Sequence, residues 1–227
     1  MAETAANGRP FPSRRLWMAL EAPRAAFEAQ TLVPAWPLLQ LAPQGDGHGV
    51  LVLPGFLASD RSTRVLRGFL RERGYFVHGW GLGRNLGPEA GLASRLRARL
   101  LALSMRHGGR VSLVGWSLGG VFARELAKRL PERVRQVITL ASPFGGPSAE
   151  APPVPSTAIY TRSDGIVAWQ TCREPEAEHT DNLEIVGSHC GLGFHPLALY
   201  AIADRLAQPA GDWKPFDRSG WRGALYR

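Results

Sequence analysis

The stretch Val111–Leu130 reads VSLVGWSLGGVFARELAKRL. Its first six residues are β-rich and apolar, the pattern of a strand buried on both faces of a parallel sheet. After Ser117 the pattern becomes helical at once. Val121, Phe122, Ala123, Leu126 and Leu130 fall near helical spacing, and Arg124, Glu125, Lys128 and Arg129 supply a polar face. Almost no loop is left between the two elements, so the chain must turn sharply at a serine set among glycines. Gly115 and Gly119 remove Cβ atoms where strand and helix crowd each other. Such a turn pushes the Ser117 hydroxyl out at the carboxyl edge of the sheet, with a helix N-terminus behind it. A serine here could merely cap the helix. Partners at matching places decide between a cap and a nucleophile.

Working outward, strand and helix patterns alternate. Strands are predicted at GVLVLPG (49–55), GYFVHGWGL (74–82), RQVITLAS (135–142), STAIYTRS (156–163) and NLEIVGS (182–188), besides the central one. Helices are predicted over 60–74, opened by Asp60 as N-cap, over 87–109, and over 195–207. This alternation predicts an α/β fold, a doubly wound, mostly parallel sheet of about six strands flanked by helices. Four regions are expected. Residues 1–12 are a disordered N-terminus, and 13–47 a helix and linker. The α/β domain covers 48–207, and 208–227 form an aromatic and basic tail. The helix, over 13–32, carries Leu16, Trp17, Leu20 and Phe27 on an amphipathic pattern interrupted near Pro23. It is expected to pack on the domain, as is the tail through Trp213, Phe216, Trp221 and Tyr226.

Composition bounds the function. The 227 residues suit one domain, and 44% hydrophobic and 20% charged residues describe an ordinary globular protein. The formal charge is +8, carried almost wholly by arginine, with Lys128 and Lys214 as the lysines. The arginines are scattered rather than gathered with aromatics, so nucleic acid is not an expected partner, and a peripheral membrane contact is the weaker reading. The N-terminus lacks the apolar core of about 7–15 residues that a signal peptide needs. No run approaches the roughly 20 apolar residues of a membrane span. The expected location is therefore the cytoplasm, with Cys172 and Cys190 as thiols. No metal-ligand spacing occurs, and no metal or cofactor is expected. The Gly-rich loop GLGRNLG (81–87) follows a strand but lacks the register and acidic partner of a dinucleotide site. Nothing in the sequence sets an oligomeric state.

In an open α/β sheet, functional groups gather beyond the carboxyl ends of the strands. Asp164 lies just past STAIYTRS and His189 just past NLEIVGS, on the edge that presents Ser117. Asp181, at the start of its strand, belongs to the opposite edge. A serine hydroxyl is a poor nucleophile at neutral pH, so His189 would take its proton, with Asp164 holding the imidazole tautomer and stabilising the imidazolium. The oxyanion donors would be the backbone N–H groups of Leu118 and of Phe56, in the loop LPGFLASD after the first strand.

The motifs LPGF, GWSLGG, SDGIV and GSHCGLG resemble those of the α/β-hydrolase superfamily over roughly residues 48–207. They look closest to the bacterial esterase/lipase-like branch without a cap domain. The resemblance implies Ser117, Asp164 and His189 as the triad. The elbow is also similar to that of carboxylesterases acting on pimeloyl esters, although many lipases carry histidine where Trp116 stands. Only PFGGPSAEAPPVP (143–155) occupies the place of a cap, so an open, mostly apolar site is expected, walled by Phe56, Leu57, the 81–87 loop, Trp116, Phe144, Ile166, Val167 and Leu192. The implied reaction is hydrolysis of a small-molecule ester of short to medium acyl chain through an acyl-enzyme. Thioesterase or acyltransferase chemistry, or a non-catalytic binder on the same fold, are the alternatives. A Cys172–Cys190 bridge bracing the loops of Asp164 and His189 stands beside the expectation of free thiols.

Overall fold

The computed structural model describes residues 14–227; the expectation for residues 1–12 falls outside them. Helix α1 (Arg14–Leu39) leads into β1 (Gly49–Leu53), α2 (Arg64–Glu72), β2 (Phe76–Gly79), α3 (Leu92–Arg106) and β3 (Val111–Trp116). Then follow α4 (Leu118–Arg129), β4 (Val134–Leu140), β5 (Ser156–Tyr160), β6 (Thr180–Glu184), α5 (Pro196–Leu206) and α6 (Trp221–Leu225). The six strands form one sheet in the order β2-β1-β3-β4-β5-β6, every neighbouring pair parallel.

Strand alternation sorts the core into two layers. Val50, Val52, Val114 and Trp116 face one side, where they meet Leu66, Phe69 and Leu70 of α2 and Ala198, Leu199 and Ile202 of α5. Leu51, Leu53, Val111 and Leu113 face the other, against Leu96, Leu100 and Leu103 of α3 and Ala123 and Leu126 of α4. The chain runs outward from β1 to β2, then reverses to place β3 on the other side of β1. Right-handed crossovers therefore put α2 on one face and α3 and α4 on the other. The reversal makes the crevice between the carboxyl ends of β1 and β3 the switch point of the sheet, where such folds place their functional groups.

Several local expectations are corrected. α1 runs unbroken through Pro23, Pro34 and Pro37. A helix interior normally loses about 3 kcal/mol to such a proline, and here Glu21 and Arg24, on either side of Pro23, are tied to the body of the protein. α2 begins a turn later than expected, after Thr63. Asp60 is not its cap, because its carboxylate instead accepts the backbone N–H groups of Trp80 and Gly81 at 3.0 and 3.1 Å. That choice ties the loop after β1 to the loop after β2. α3 starts at Leu92 rather than at 87, behind Gly91 at φ 79°. In the tail, Phe216 and Tyr226 are buried, and the Tyr226 hydroxyl donates to the Leu197 carbonyl at 2.8 Å. Arg227 and Glu184 exchange both backbone hydrogen bonds, at 2.8 and 3.1 Å. Among the described residues no helix is long and apolar enough to cross a membrane.

Candidate active site

β3 ends at Trp116 and α4 begins at Leu118, leaving Ser117 alone in the turn at φ 53°, ψ −124°. For a residue with a side chain this backbone costs of order 1–3 kcal/mol and persists only where its surroundings hold it. Here they do. The Ser117 N–H donates to the Leu140 carbonyl at 2.8 Å, and its own carbonyl accepts from Gly120 N–H at 2.9 Å. The neighbouring glycines are steric requirements. A Cβ on Gly115 would collide with the Gly120 backbone, and one on Gly119 with the carbonyls of Leu53 and Pro54. The other two non-glycine residues at positive φ among the described residues, Leu57 (59°) and Ala141 (43°), follow β1 and β4 on the same edge. Strain is thus concentrated along the carboxyl ends of β1, β3 and β4.

The loop after β1 lies against the serine: a Cβ on Gly55 would stand 3.2 Å from the Ser117 Cβ. Asn85, fully buried, fixes that loop. Its Nδ2 donates to the Pro54 carbonyl at 2.8 Å, its N–H to the Ala58 carbonyl at 2.8 Å, and its carbonyl accepts from Leu57 N–H at 2.7 Å. Among the described residues, no hydrogen bond occupies the N–H groups of Phe56 and Leu118. The Gly-rich segment is therefore a scaffold for the neighbouring loop, with Gly81, Gly83 and Gly87 at positive φ.

Asp164 and His189 come together as expected, with His189 Nδ1 2.7 Å from Asp164 Oδ2 and both residues buried. The other carboxylate oxygen, Oδ1, accepts the N–H groups of Ile166 and Val167, each at 2.8 Å. One oxygen is held by backbone, leaving the second for the imidazole, and the contact fixes the orientation of the ring. The His189 carbonyl accepts from Trp116 Nε1 at 3.0 Å, joining the end of β3 to the histidine loop. Ser117 Oγ and His189 Nε2 form no hydrogen bond here. Asp181 lies away from this pair, accepting the N–H of Phe216 and pairing with Arg218 at 3.0 Å.

The expected walls divide. Phe56, Leu57 and Ile166 are exposed, and Phe144 and Val167 half-buried. Leu192 is fully buried in the core and cannot wall an open site. The segment Gly191–Gly193 turns inward, and the Trp116 ring packs so closely on Gly193 that a Cβ there would strike it. Trp116 is accordingly 9% exposed and backs the site rather than lining it. The clearer grooves lie elsewhere, about 320 Å³ between α3 and α4 and about 520 Å³ between α1, α5 and α6. Ser117, Asp164 and His189 line neither.

Both cysteines are free. Burial pushes the Cys172 thiol up to about 12, and burial with Glu21 alongside pushes Cys190 up to about 11, so both stay protonated and poorly nucleophilic at neutral pH. Among the described residues no group of three or more His, Cys, Asp or Glu side chains is placed to hold a metal ion.

A parallel sheet that reverses at β1/β3, with a strained serine at the reversal, an aspartate two strands along and a histidine three strands along, has the α/β-hydrolase fold. A solved gene product of Listeria innocua is similar to this chain with a TM-score of 0.59 at 13% identity, over 75% of this chain and 98% of its own. A pyrethroid hydrolase of Sphingobium faniae is similar at 0.53 and 15% identity, over 72% of this chain and 98% of its own. Lipase B of Aspergillus fumigatus is similar at 0.55 and 18% identity over 72% of this chain, which spans 53% of the lipase. No family model matches the sequence, and no curated protein does.

Proposed function

We propose that this protein is a serine hydrolase that cleaves carboxylic esters of short to medium acyl chain through an acyl-enzyme on Ser117. The observation that carries the reading is the pairing of a serine forced to φ 53° at the switch point with a buried His189–Asp164 pair at 2.7 Å on the same edge. In the reaction, Ser117 Oγ attacks the ester carbonyl carbon while His189 Nε2 takes its proton. The carbonyl oxygen becomes an oxyanion that accepts from the N–H groups of Phe56 and Leu118. When the tetrahedral intermediate collapses, the carbon–oxygen bond to the alcohol breaks and His189 returns the proton to the departing alkoxide. Water then repeats the sequence on the acyl-enzyme, releasing the acid and Ser117.

Phe56, Leu57, Phe144, Ile166 and Val167 would receive the acyl group on an open, apolar surface. An open site favours small, soluble esters, since the described residues form no enclosed tunnel at Ser117 to align a long chain. A p-nitrophenyl ester series from acetate to palmitate tests the reading. Wild type should peak at short to medium chains, and Ser117→Ala should lose about 10⁴-fold or more in kcat/KM. Equal turnover by the two proteins would overturn it.

A further inference from the structure

The N-terminal half of helix α1 carries charge inward, whereas Leu32, Trp36 and Leu39 of its last turns pack on the core. Glu21, Arg24 and Glu28 point into the protein, while Leu16, Met18, Leu20 and Phe27 stand exposed. Burying a carboxylate is costly unless it is fully hydrogen-bonded. Glu21 meets that demand with backbone from two separate loops. Its Oε1 accepts the N–H groups of Gly165 at 2.9 Å and His189 at 3.2 Å, and its Oε2 accepts Cys190 N–H at 3.0 Å. Arg24 spans the same two loops. Its Nη1 donates to the Ser163 carbonyl at 2.8 Å, and its Nη2 to Ser163 Oγ at 2.7 Å and to the Gly187 carbonyl. Glu28 completes the set on Ser188, accepting its N–H and its hydroxyl at 2.7 Å each. Every one of these partners lies within two residues of Asp164 or His189. The fit extends to the main chain, since a Cβ on Gly165 would strike the backbone of Trp17 and Met18.

We infer that Glu21 is a positioning residue: one buried carboxylate holds the Asp164 loop and the His189 loop in a single frame, and Arg24 supplies the second tie. The inference rests on the Ser117–His189–Asp164 reading of the site. β5 and β6 end at Tyr160 and Glu184, so both catalytic groups ride on irregular segments beyond the sheet's own hydrogen bonding. Thr161 Oγ1 and Ser163 Oγ tie the loops at their bases by donating to the Gly187 carbonyl at 3.0 and 2.9 Å, whereas Glu21 reaches Gly165, His189 and Cys190 beyond them. A misplacement of about 1 Å there can cost about 10²-fold in rate.

The test compares the full-length wild type with Glu21→Gln and Glu21→Ala, by NMR titration of the His189 ring and by kcat and KM on p-nitrophenyl butyrate. Gln keeps the length and one acceptor oxygen but turns an NH₂ toward the Cys190 N–H; Ala removes all three hydrogen bonds of Glu21. Both remove the same charge, so the difference between them reads position alone. As Asp164 draws away from the imidazole, the His189 pKa and the acid limb of kcat should fall in the order wild type, Gln, Ala. With KM within about twofold, kcat should fall about threefold for Gln and about 10²-fold for Ala. A smaller folded fraction would lower kcat without moving either pH readout. An Ala variant that matches wild type, or that is no worse than Gln, overturns the inference. If Ala does not fold, Glu21→Asp replaces it: shorter by one methylene yet still charged, it should lower the His189 pKa, and a wild-type value would overturn the inference. If wild type hydrolyses no ester, the esterase reading fails, while the substrate-free titration still decides the role of Glu21.

Discussion

Asn85 shows how much of the site is set by single side chains that do no chemistry. It is buried within GLGRNLG and holds the loop carrying Phe56 through Pro54, Leu57 and Ala58. Replacing it with Ala leaves the buried Pro54 carbonyl and Gly87 N–H without their partners. We expect a loss of about 1–3 kcal/mol in denaturant unfolding. On the proposed reading, in which the Phe56 N–H receives the oxyanion, a kcat loss at unchanged KM should accompany it; unchanged kcat would place that donor elsewhere. At this scale the sequence was informative in one direction. Ser117, Asp164 and His189 could be chosen because each follows an apolar strand pattern, and the structure sets His189 on Asp164. Asn85 and Glu21 could not, since an asparagine among glycines reads as a turn and a glutamate in a helix reads as a solvated face. Their partners are backbone groups from distant segments, which no local pattern encodes. Leu192 erred for a related reason, since its apolar character is shared by a pocket wall and a core residue.

At the scale of elements, α5 carries a pH dependence at its first turn. His195 caps the helix, its Nδ1 accepting the Leu197 N–H at 3.2 Å. An acceptor nitrogen must be unprotonated, and burial holds this imidazole down to about 4 against a backbone bond to Val186 that acts the other way. The unfolded chain, with an ordinary histidine pKa of about 6.5, therefore binds this proton over a range in which the folded chain does not. Stability from this group is complete above about 6.5 and is lost as pH falls toward 4. His195→Asn retains a capping oxygen that does not titrate. It should flatten the loss of denaturant midpoint between pH 7 and pH 4.5. An unchanged slope would assign the acid sensitivity to other groups, His78 among them, which burial and then His107 and nearby arginines also hold near 4. Element types were legible from periodicity, whereas their ends were not. The helix expected from Asp60 starts after Thr63 because the Asp60 carboxylate serves a neighbouring loop, and α1 passes through Pro23 because tertiary ties override the local break.

For the molecule as a whole, the tail and α1 extend the domain at both ends of the described chain. Tyr226 is buried against Phe216 with ring centroids 4.7 Å apart, and its hydroxyl reaches α5. Tyr226→Ala should cost about 3 kcal/mol or more, read by chemical unfolding. A loss below about 0.5 kcal/mol, the ordinary range for surface positions, would show the tail to be an ornament. The doubly wound parallel sheet was legible because alternating strand and helix patterns leave few right-handed arrangements. The inward acids of α1 were not legible, because their value lies in a contact made across about 150 residues of chain.

The central claim is that Ser117 is an activated nucleophile, and stoichiometric labelling with an alkyl fluorophosphonate tests it without knowledge of the natural ester. Attack by Ser117 Oγ forms an oxygen–phosphorus bond, expels fluoride and passes the serine proton to His189. Peptide mass spectrometry should find one adduct per chain, on the Val111–Leu130 segment at Ser117. Ser117→Ala should show none, and His189→Ala should label slower by about 10³-fold or more. An unlabelled wild type, or an adduct on any other residue, would contradict the claim.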